Sequence, residues 1–517
     1  MDSQKQSQRH RTDDAKPAIL PRTGADHFGL ITMVLLLVCS TALFVQLMRL
    51  NMLTDLWALL AILGLVVLNG IHVIIQVPVR YNKAGKIICG IIALLLSIVM
   101  IYGLVATNSV KNMIAKVSGK MVEKEVTAVM VLNDDPAQTI MDTSDYVFGY
   151  LNNADADLTE GLLKEVKDAL GHEVKTVGYD SPTVMTDALY DDEVNAIILN
   201  EGYIPVLTNN EEYADFSSQT RIIYEYAIER EIENPMPTNT DLAKPFVIYC
   251  SGIDARNSDI NVTSLSDVNI IAVVNPQSHQ ILLINTPRDY FLPLSFNGEL
   301  DKLTHASLYG IDESMRVLSA LYGLDISSYI RVNFNGLVNI VDALGGIDVV
   351  SEYDFTTNTM QIPNADETGF YEDYYTFSEG VNHLDGRAAL AFSRERYAFM
   401  DGDIQRGRNQ MAVIKAIVNK ATSASVLSNY QNLLNAVADA FITNLSYDDI
   451  TSLVKMQQKN MTGWNITTYS VYGSGGTDYT YSGGNAYVMY PDYDLVNNAK
   501  DMIQAVMNGE VPQAPED

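Results

Sequence analysis

The stretch from Ser393 to Gln410, SRERYAFMDGDIQRGRNQ, carries Arg394, Arg396, Arg406 and Arg408 together with Asp401, Asp403 and Gln410. Forked guanidinium donors at this density suit an anion, phosphate above all, which they grip through bidentate charge-assisted hydrogen bonds. The flanking pattern supplies a helix start beneath them. An apolar run, DGRAALAF, ends at Phe392, and Asp403 is expected to N-cap the helix that follows. On that helix Arg406 and Gln410 fall four residues apart on one face, while Met411, Ile414, Ile417 and Val418 form an apolar stripe expected to bury it. The dipole and free amides of the first turn would add to the arginines. The same residues also read as a solvated loop whose arginines pair with Asp401, Asp403 and Glu395, and the local pattern leaves both readings open.

A second set of charged residues sits where strands should end: Asp254 and Arg256 in SGIDAR, Asp267 in LSDVN, Arg288 and Asp289 in TPRDYFLP, and Lys302 in DKLTHA. Carboxylates from two such ends could hold a hard cation such as Mg²⁺, which takes one or two carboxylates and completes its shell with water and phosphate. Turn capping is the plain alternative for any one aspartate. His305 and His383 have no nucleophile and carboxylate patterned around them, so both are expected to be structural. The Tyr-rich run at 469–490 reads either as a surface that stacks on sugars or as ordinary edge packing.

The formal net charge of -29 excludes a protein that coats nucleic acid, and makes the arginine cluster conspicuous. Of the three cysteines, Cys39 and Cys89 lie in apolar segments, which leaves Cys250 as the single thiol of the remainder. No disulfide framework or CxxC metal site fits that count. Cys250 ends the run KPFVIYC and is expected to be a buried strand residue.

These residues must be positioned by a chain of 517 residues, enough for several domains. Residues 1–27 are polar and aperiodic, and read as a disordered cytoplasmic tail. Apolar segments at about 28–48, 55–78 and 87–107 each approach the roughly 20 residues that span a bilayer, giving three transmembrane helices within 28–107. Arg9, Arg11, Lys16 and Arg22 precede the first span and Arg80, Lys83 and Lys86 precede the third, so the positive-inside rule puts the N-terminus in the cytoplasm and everything after the third span outside. His72 and Asn69 in the second span are expected to be satisfied by neighbouring helices.

A helical stalk is expected over 108–125, followed over 126–230 by a small α/β accessory domain. In it, TAVMVL, HEVKTVGY and VNAIILN read as strands, and TEGLLKEVKDAL, PTVMTDALYDD and TRIIYEYAIERE as helices. A Pro-rich linker occupies 231–245. The larger α/β domain runs over 246–510, with strands FVIYC, VNIIAVVN and QILLINTP among amphipathic helices, and 511–517 form a C-terminal tail.

The motifs GIDAR, SDVNIIAVVNPQSHQILLINTPRDYFLP, DKLTHA, VNFNGLVNIVDALGGIDV, GVNHLDGRAALAFSRER and DIQRGRNQ, taken in order, resemble the LytR-CpsA-Psr family of cell-wall phosphotransferases, and YVMYPD continues the pattern. The three spans and the intervening small domain resemble its capsule-associated branch. The resemblance implies a mixed sheet between helices, with a hydrophobic groove for a polyprenyl chain and a charged mouth for its diphosphate. By position it implies Asp254 and Asp267 as ligands of Mg²⁺, and Arg256, Arg288, Lys302, Arg394, Arg396, Arg406 and Gln410 around the diphosphate. It marks Arg288, Asp289 and Asp403 as catalytic. Leu265 stands where the family often has an arginine, and Arg408 where it often has a glutamine. The implied reaction moves a glycopolymer of the capsular or teichoic-acid type from a polyprenyl diphosphate to peptidoglycan, outside the plasma membrane of a Gram-positive type of cell. Hydrolysis of the same lipid diphosphate, or lipid binding by a noncatalytic regulator, are the competing functions.

Overall fold

The computed structural model describes residues 23–50, 55–77, 83–117, 122–152, 156–231, 242–253, 260–358, 360–363, 370–423, 440–459 and 462–513. The expected tail up to residue 22, most of the linker, and the SGIDAR positions Asp254 and Arg256 lie outside the described residues. The chain forms two compact units, Met1–Lys111 and Asn112–Asp517.

The first unit holds the helices Gly24–Arg49, Asp55–Gln76 and Lys83–Val117, whose apolar stretches are long enough to cross a membrane. The first helix begins four residues earlier than the apolar run. Asp26 accepts from the Thr23 backbone amide at its start and pairs with Lys86 at 2.6 Å, which ties the N-terminal ends of the first and third helices together. The polar residues of the second helix find partners on its neighbours. Asn69 donates to the Ser40 hydroxyl at 3.0 Å, and His72 Nδ1 lies 3.1 Å from Cys89 Sγ.

In the second unit, a five-stranded sheet runs in the order Lys175–Tyr179, Val147–Leu151, Ala196–Asn200, Val122–Leu132, Thr220–Glu231. Two expectations are corrected here. The end of the stalk, VEKEV, belongs to the strand Val122–Leu132, and TRIIYEYAIERE is the strand Thr220–Glu231 rather than a helix. These two strands pair antiparallel along their whole lengths. Glutamates and arginines spaced as on a helix gave the wrong period, whereas Ile223, Tyr224 and Tyr226 fit a pleated surface and pack against the cluster around Leu162 and Val166 of helix Ala156–Leu170.

The larger sheet has six strands in the order Phe441–Thr443, Ser328–Asn333, Phe246–Ile253, Ser266–Asn275, Gln280–Asn285, Asn465–Ser470, with parallel and antiparallel neighbours mixed. Its central strands are apolar at nearly every position because both faces are covered. Val247, Tyr249, Ile271, Val273, Leu282 and Ile284 pack on the helices Ile311–Tyr322 and Tyr493–Met507. The alternate residues, among them Ile248, Ala272, Val274, Ile281 and Leu283, turn to the other face, where the helices Phe334–Ala343, Gly386–Arg394 and Asp403–Ala421 lie. That second face is incompletely filled.

The two sheets share one packed junction. Leu265 and Leu308 of the larger domain bury with Tyr203, Val206 and Leu207 of the smaller. Beside them Arg331 donates to Glu123 at 2.9 Å, with both side chains almost fully buried.

Candidate active site: a charged mouth between two cavities

Strand register brings the first pair together. The antiparallel ladder ends where Ile270 faces Asn285, and Asp267 and Arg288 stand three residues beyond that pair, one on each side. Arg288 Nη1 donates to Asp267 Oδ1 at 3.0 Å. Its Nε lies 3.6 Å from Asp289 Oδ2 and 4.0 Å from Asp403 Oδ2, and has no hydrogen-bond acceptor among the described residues. Lys302 ends the short strand Leu300–Lys302, which pairs with Phe291–Pro293 so that Lys302 meets Phe291. Its ammonium therefore reaches Asp289, at 3.1 Å.

The helix Asp403–Ala421 delivers the rest. Gly402 is its N-cap and Asp403 its first residue, so the helix starts one residue earlier than expected, and the Asp403 carboxylate is released from capping and turns to the arginines. It stands 3.3 Å from Arg406 and 3.7 Å from Arg396. The helix lies close on the sheet at Gly407, where a Cβ would come within 2.1 Å of the Asn285 side-chain amide, so any larger residue would displace that side chain. Arg394 ends the preceding helix with its guanidinium 4.3 Å above the Phe334 ring, which holds the fork in place.

The two readings of this stretch divide by residue. Arg408 pairs with Asp401 at 2.9 Å, as a solvated loop would have it. Glu395 pairs with no arginine by any described contact; it is buried and accepts from the backbone amides of Ala398 and Asn358. Arg394, Arg396, Arg406 and Gln410 line a cavity, together with Arg288 and Asp267.

That cavity has a volume of about 830 Å³ and fills the gap on the second face of the sheet. Its deep walls are Ile248, Ala272, Val274, Ile281, Leu283, Leu337 and Ile340, and its charged residues gather at one region. Ile414, Ile417 and Val418 belong to this wall, so of the expected stripe only Met411 is fully buried, and Val413 and Ala416 anchor the helix instead. Cys250 also lines it, its thiol pushed up to about 12 by burial, which disfavours the thiolate.

Charge in the mouth is unbalanced. Burial and the neighbouring Arg288 both lower the pKa of Arg406, whose side chain is only 12% exposed; the site strains against holding two cations together. For Arg288 burial acts in the same direction, but Asp267, Asp289 and Asp403 more than offset it and raise its pKa. Burial pushes the Asp289 carboxyl up, yet Arg288 and Lys302 outweigh that and hold it below its ordinary value of 3.8. An anion entering here would relieve the strain between Arg288 and Arg406.

Lys302 and Asp289 do not line the apolar cavity. They line an adjoining polar one of about 510 Å³, with Asp403. Arg288 and Arg396 line both. His305, expected to be structural, is buried with Nδ1 2.6 Å from Asp301, and it also lines the polar cavity. His383 lies apart, exposed beside Asp348. Among the described residues no group of three or more His, Cys, Asp or Glu side chains converges as a metal cage. Of the two aspartates expected to hold magnesium, Asp267 is the one within the described residues.

Sequence reasoning did not find Phe334 or Gly407. Phe334 could have been signalled by Asn333, which caps the helix Phe334–Ala343 by accepting from Gly336 and so sets that ring at the helix start.

Residues 213–504 match the LytR_cpsA_psr family. The chain is 33% identical, over 242 residues, to an Enterococcus faecalis protein named polyisoprenyl-teichoic acid–peptidoglycan teichoic acid transferase TagU; the match covers 47% of this chain and 74% of that one. A Bacillus mycoides protein of the same name is 32% identical over 214 residues, 41% of this chain and 64% of its own length. Among solved structures, B. subtilis TagV aligns with 52% of this chain and 98% of its own at 24% identity, with a TM-score of 0.42. With the family match spanning more than half of its length, the chain belongs to the LytR-CpsA-Psr family.

Proposed function

We propose that this protein transfers a phosphoglycosyl polymer from a polyprenyl diphosphate carrier to a hydroxyl of peptidoglycan. One observation carries the reading: Arg288 and Arg406, 17% and 12% exposed, meet at the charged end of a large apolar cavity. A long lipid with a diphosphate head has the matching shape and charge. Each buried methylene contributes about 0.8 kcal/mol, so a few isoprene units in the cavity supply affinity while the arginines fix the head. The transferase names of the relatives agree with this chemistry.

In the reaction the acceptor oxygen attacks the phosphorus that bears the glycan, the P–O bond to the polyprenyl phosphate breaks, and the hydroxyl proton passes to a carboxylate. Phosphoryl transfer needs chiefly positioning and charge neutralisation. Arg288, Arg394, Arg396, Arg406 and Gln410 would hold the diphosphate. We assign the proton to Asp403. Its side chain is 30% exposed against 11% for Asp289, and it faces the polar cavity from which a hydroxyl would come. Asp289 serves to hold Lys302 and Arg288. A magnesium ion fits the donor set as one carboxylate, Asp267, plus phosphate oxygens, with Asp254 the expected second ligand. When bound it would spread the charge that develops on the departing phosphate. Three apolar helices and the basic residues before the first and third support an anchor in the plasma membrane with the larger unit outside. Either a capsular polysaccharide or a teichoic acid fits as the polymer.

The test is to incubate the full chain in detergent with a synthetic polyprenyl-diphosphate glycan, peptidoglycan oligomer and Mg²⁺, and to follow products by mass spectrometry. A glycan–phosphate–peptidoglycan adduct lost in Arg394→Ala supports transfer. Free glycan phosphate as the sole product makes the protein a hydrolase, and lipid binding without turnover makes it a regulator.

A further inference from the structure

The polar cavity is walled by three separate parts of the chain. The small domain contributes Asn209, Asn210 and Glu211, the corner that follows helix Ile204–Thr208; the hairpin of Gly473–Thr480 and Gly484–Pro491 contributes Asn485 and Tyr487; the charged mouth contributes Asp289, Lys302 and Asp403 with Arg288 and Arg396. This is a built wall and no accident of loose loops. Val206, in the helix before the corner, is buried in the shared core, and a Cβ at Gly483 in the hairpin turn would come within 2.8 Å of its Cγ1. The helix and its corner also reach the apolar cavity through Pro205, Thr208 and Asn209, so they stand where the two cavities adjoin.

The chemistry of the wall selects its occupant. Glu211, Asp289 and Asp403 are matched by Arg288, Lys302 and Arg396, so the wall carries no excess charge that would call for an ionic ligand, while its amides, carboxylates and cationic groups offer both donors and acceptors to hydroxyl groups. Tyr487 adds a ring, 52% exposed, for an apolar sugar face. Burial, then Asp289 and Asp403, raise its pKa, so its hydroxyl stays a donor. We propose that the small domain's corner and the hairpin form a subsite for an uncharged pyranose unit next to the diphosphate, so that the small domain selects the saccharide. This rests on the transferase reading for the source of the sugar, which is the first residue of the lipid-linked glycan or a residue of the acceptor.

Glu211→Ala and Tyr487→Ala alter exposed side chains that line the polar cavity and not the apolar one. The full chain in detergent is titrated calorimetrically with farnesyl diphosphate, with the same lipid diphosphate carrying one N-acetylglucosamine, and with an N-acetylglucosamine–N-acetylmuramic acid tetrasaccharide. If the sugar comes from the donor, the sugar-bearing lipid binds the wild type about tenfold tighter than farnesyl diphosphate, the size of one or two hydrogen bonds, and each variant erases the difference without changing farnesyl diphosphate affinity. If it comes from the acceptor, the variants lose tetrasaccharide affinity instead. Unchanged affinity for both saccharide ligands in both variants overturns the subsite. Failure of farnesyl diphosphate to bind the wild type overturns the lipid-diphosphate reading, and the tetrasaccharide arm still decides the subsite.

Discussion

At the scale of single residues, the site works through a conflict of charge. Arg406 is disfavoured by burial and by Arg288, and three carboxylates hold the mouth together until an anion arrives. Arg406→Ala should therefore lower transfer by about a hundredfold or more, the loss seen for one preorganised donor, with a smaller change in thermal stability; kcat/KM and a melting curve on the same sample check this. Asp289 supplies a pH signature. Its carboxyl is held below its ordinary value, so its ion pairs stabilise the fold fully above about pH 4 and that contribution is lost as pH falls through the lowered value. The melting-temperature gap between wild type and Asp289→Asn should be widest near neutrality and should close under acid. A gap that persists at pH 2 would mean the carboxylate's charge is not what holds Lys302.

At the scale of elements, the helix Asp403–Ala421 and the junction of the two sheets decide the geometry. The helix presents Arg406 and Gln410 to the mouth and Ile414, Ile417 and Val418 to the apolar wall, four residues and then one turn along the same side. The junction depends on Arg331, which is fully buried and whose charge is sustained by Glu123 against the cost of burial. Glu123→Ala strands that guanidinium and should cost about 3–5 kcal/mol of stability, measured by denaturant unfolding. Replacing both residues together with apolar ones of similar volume should cost less than the single change, because no buried charge is then left unpaired.

At the scale of the whole molecule, a large apolar cavity and three helices fit to cross a bilayer belong to one chain, which suits the proposed substrate, a lipid drawn from the membrane. The proposed orientation predicts that proteinase added to intact cells degrades the larger unit and spares the apolar helices. Protection of that unit until the membrane is broken would place it in the cytoplasm, away from peptidoglycan. Chelation with EDTA should abolish transfer and added Mg²⁺ restore it, and Asp267→Asn should raise the Mg²⁺ concentration needed for half-maximal rate.

The sequence by itself determined the spans and the order of most strands and helices, and its motifs named the described residues that meet at the charged mouth, because each is written in local hydropathy, in period, or in short segments. It misread Thr220–Glu231, where the charges repeat like a helix and only pairing with Val122–Leu132 makes a strand. It placed Asp403 at a cap that Gly402 occupies, a shift of one residue that frees a carboxylate for three arginines. Tertiary structure alone decided that Arg408 stands aside with Asp401 while Arg394 rests on Phe334. It alone brought Asn209 to Glu211 of the small domain against a hairpin nearly three hundred residues later in the chain. A cavity is what packing leaves unfilled between elements distant in sequence, and no local pattern records it.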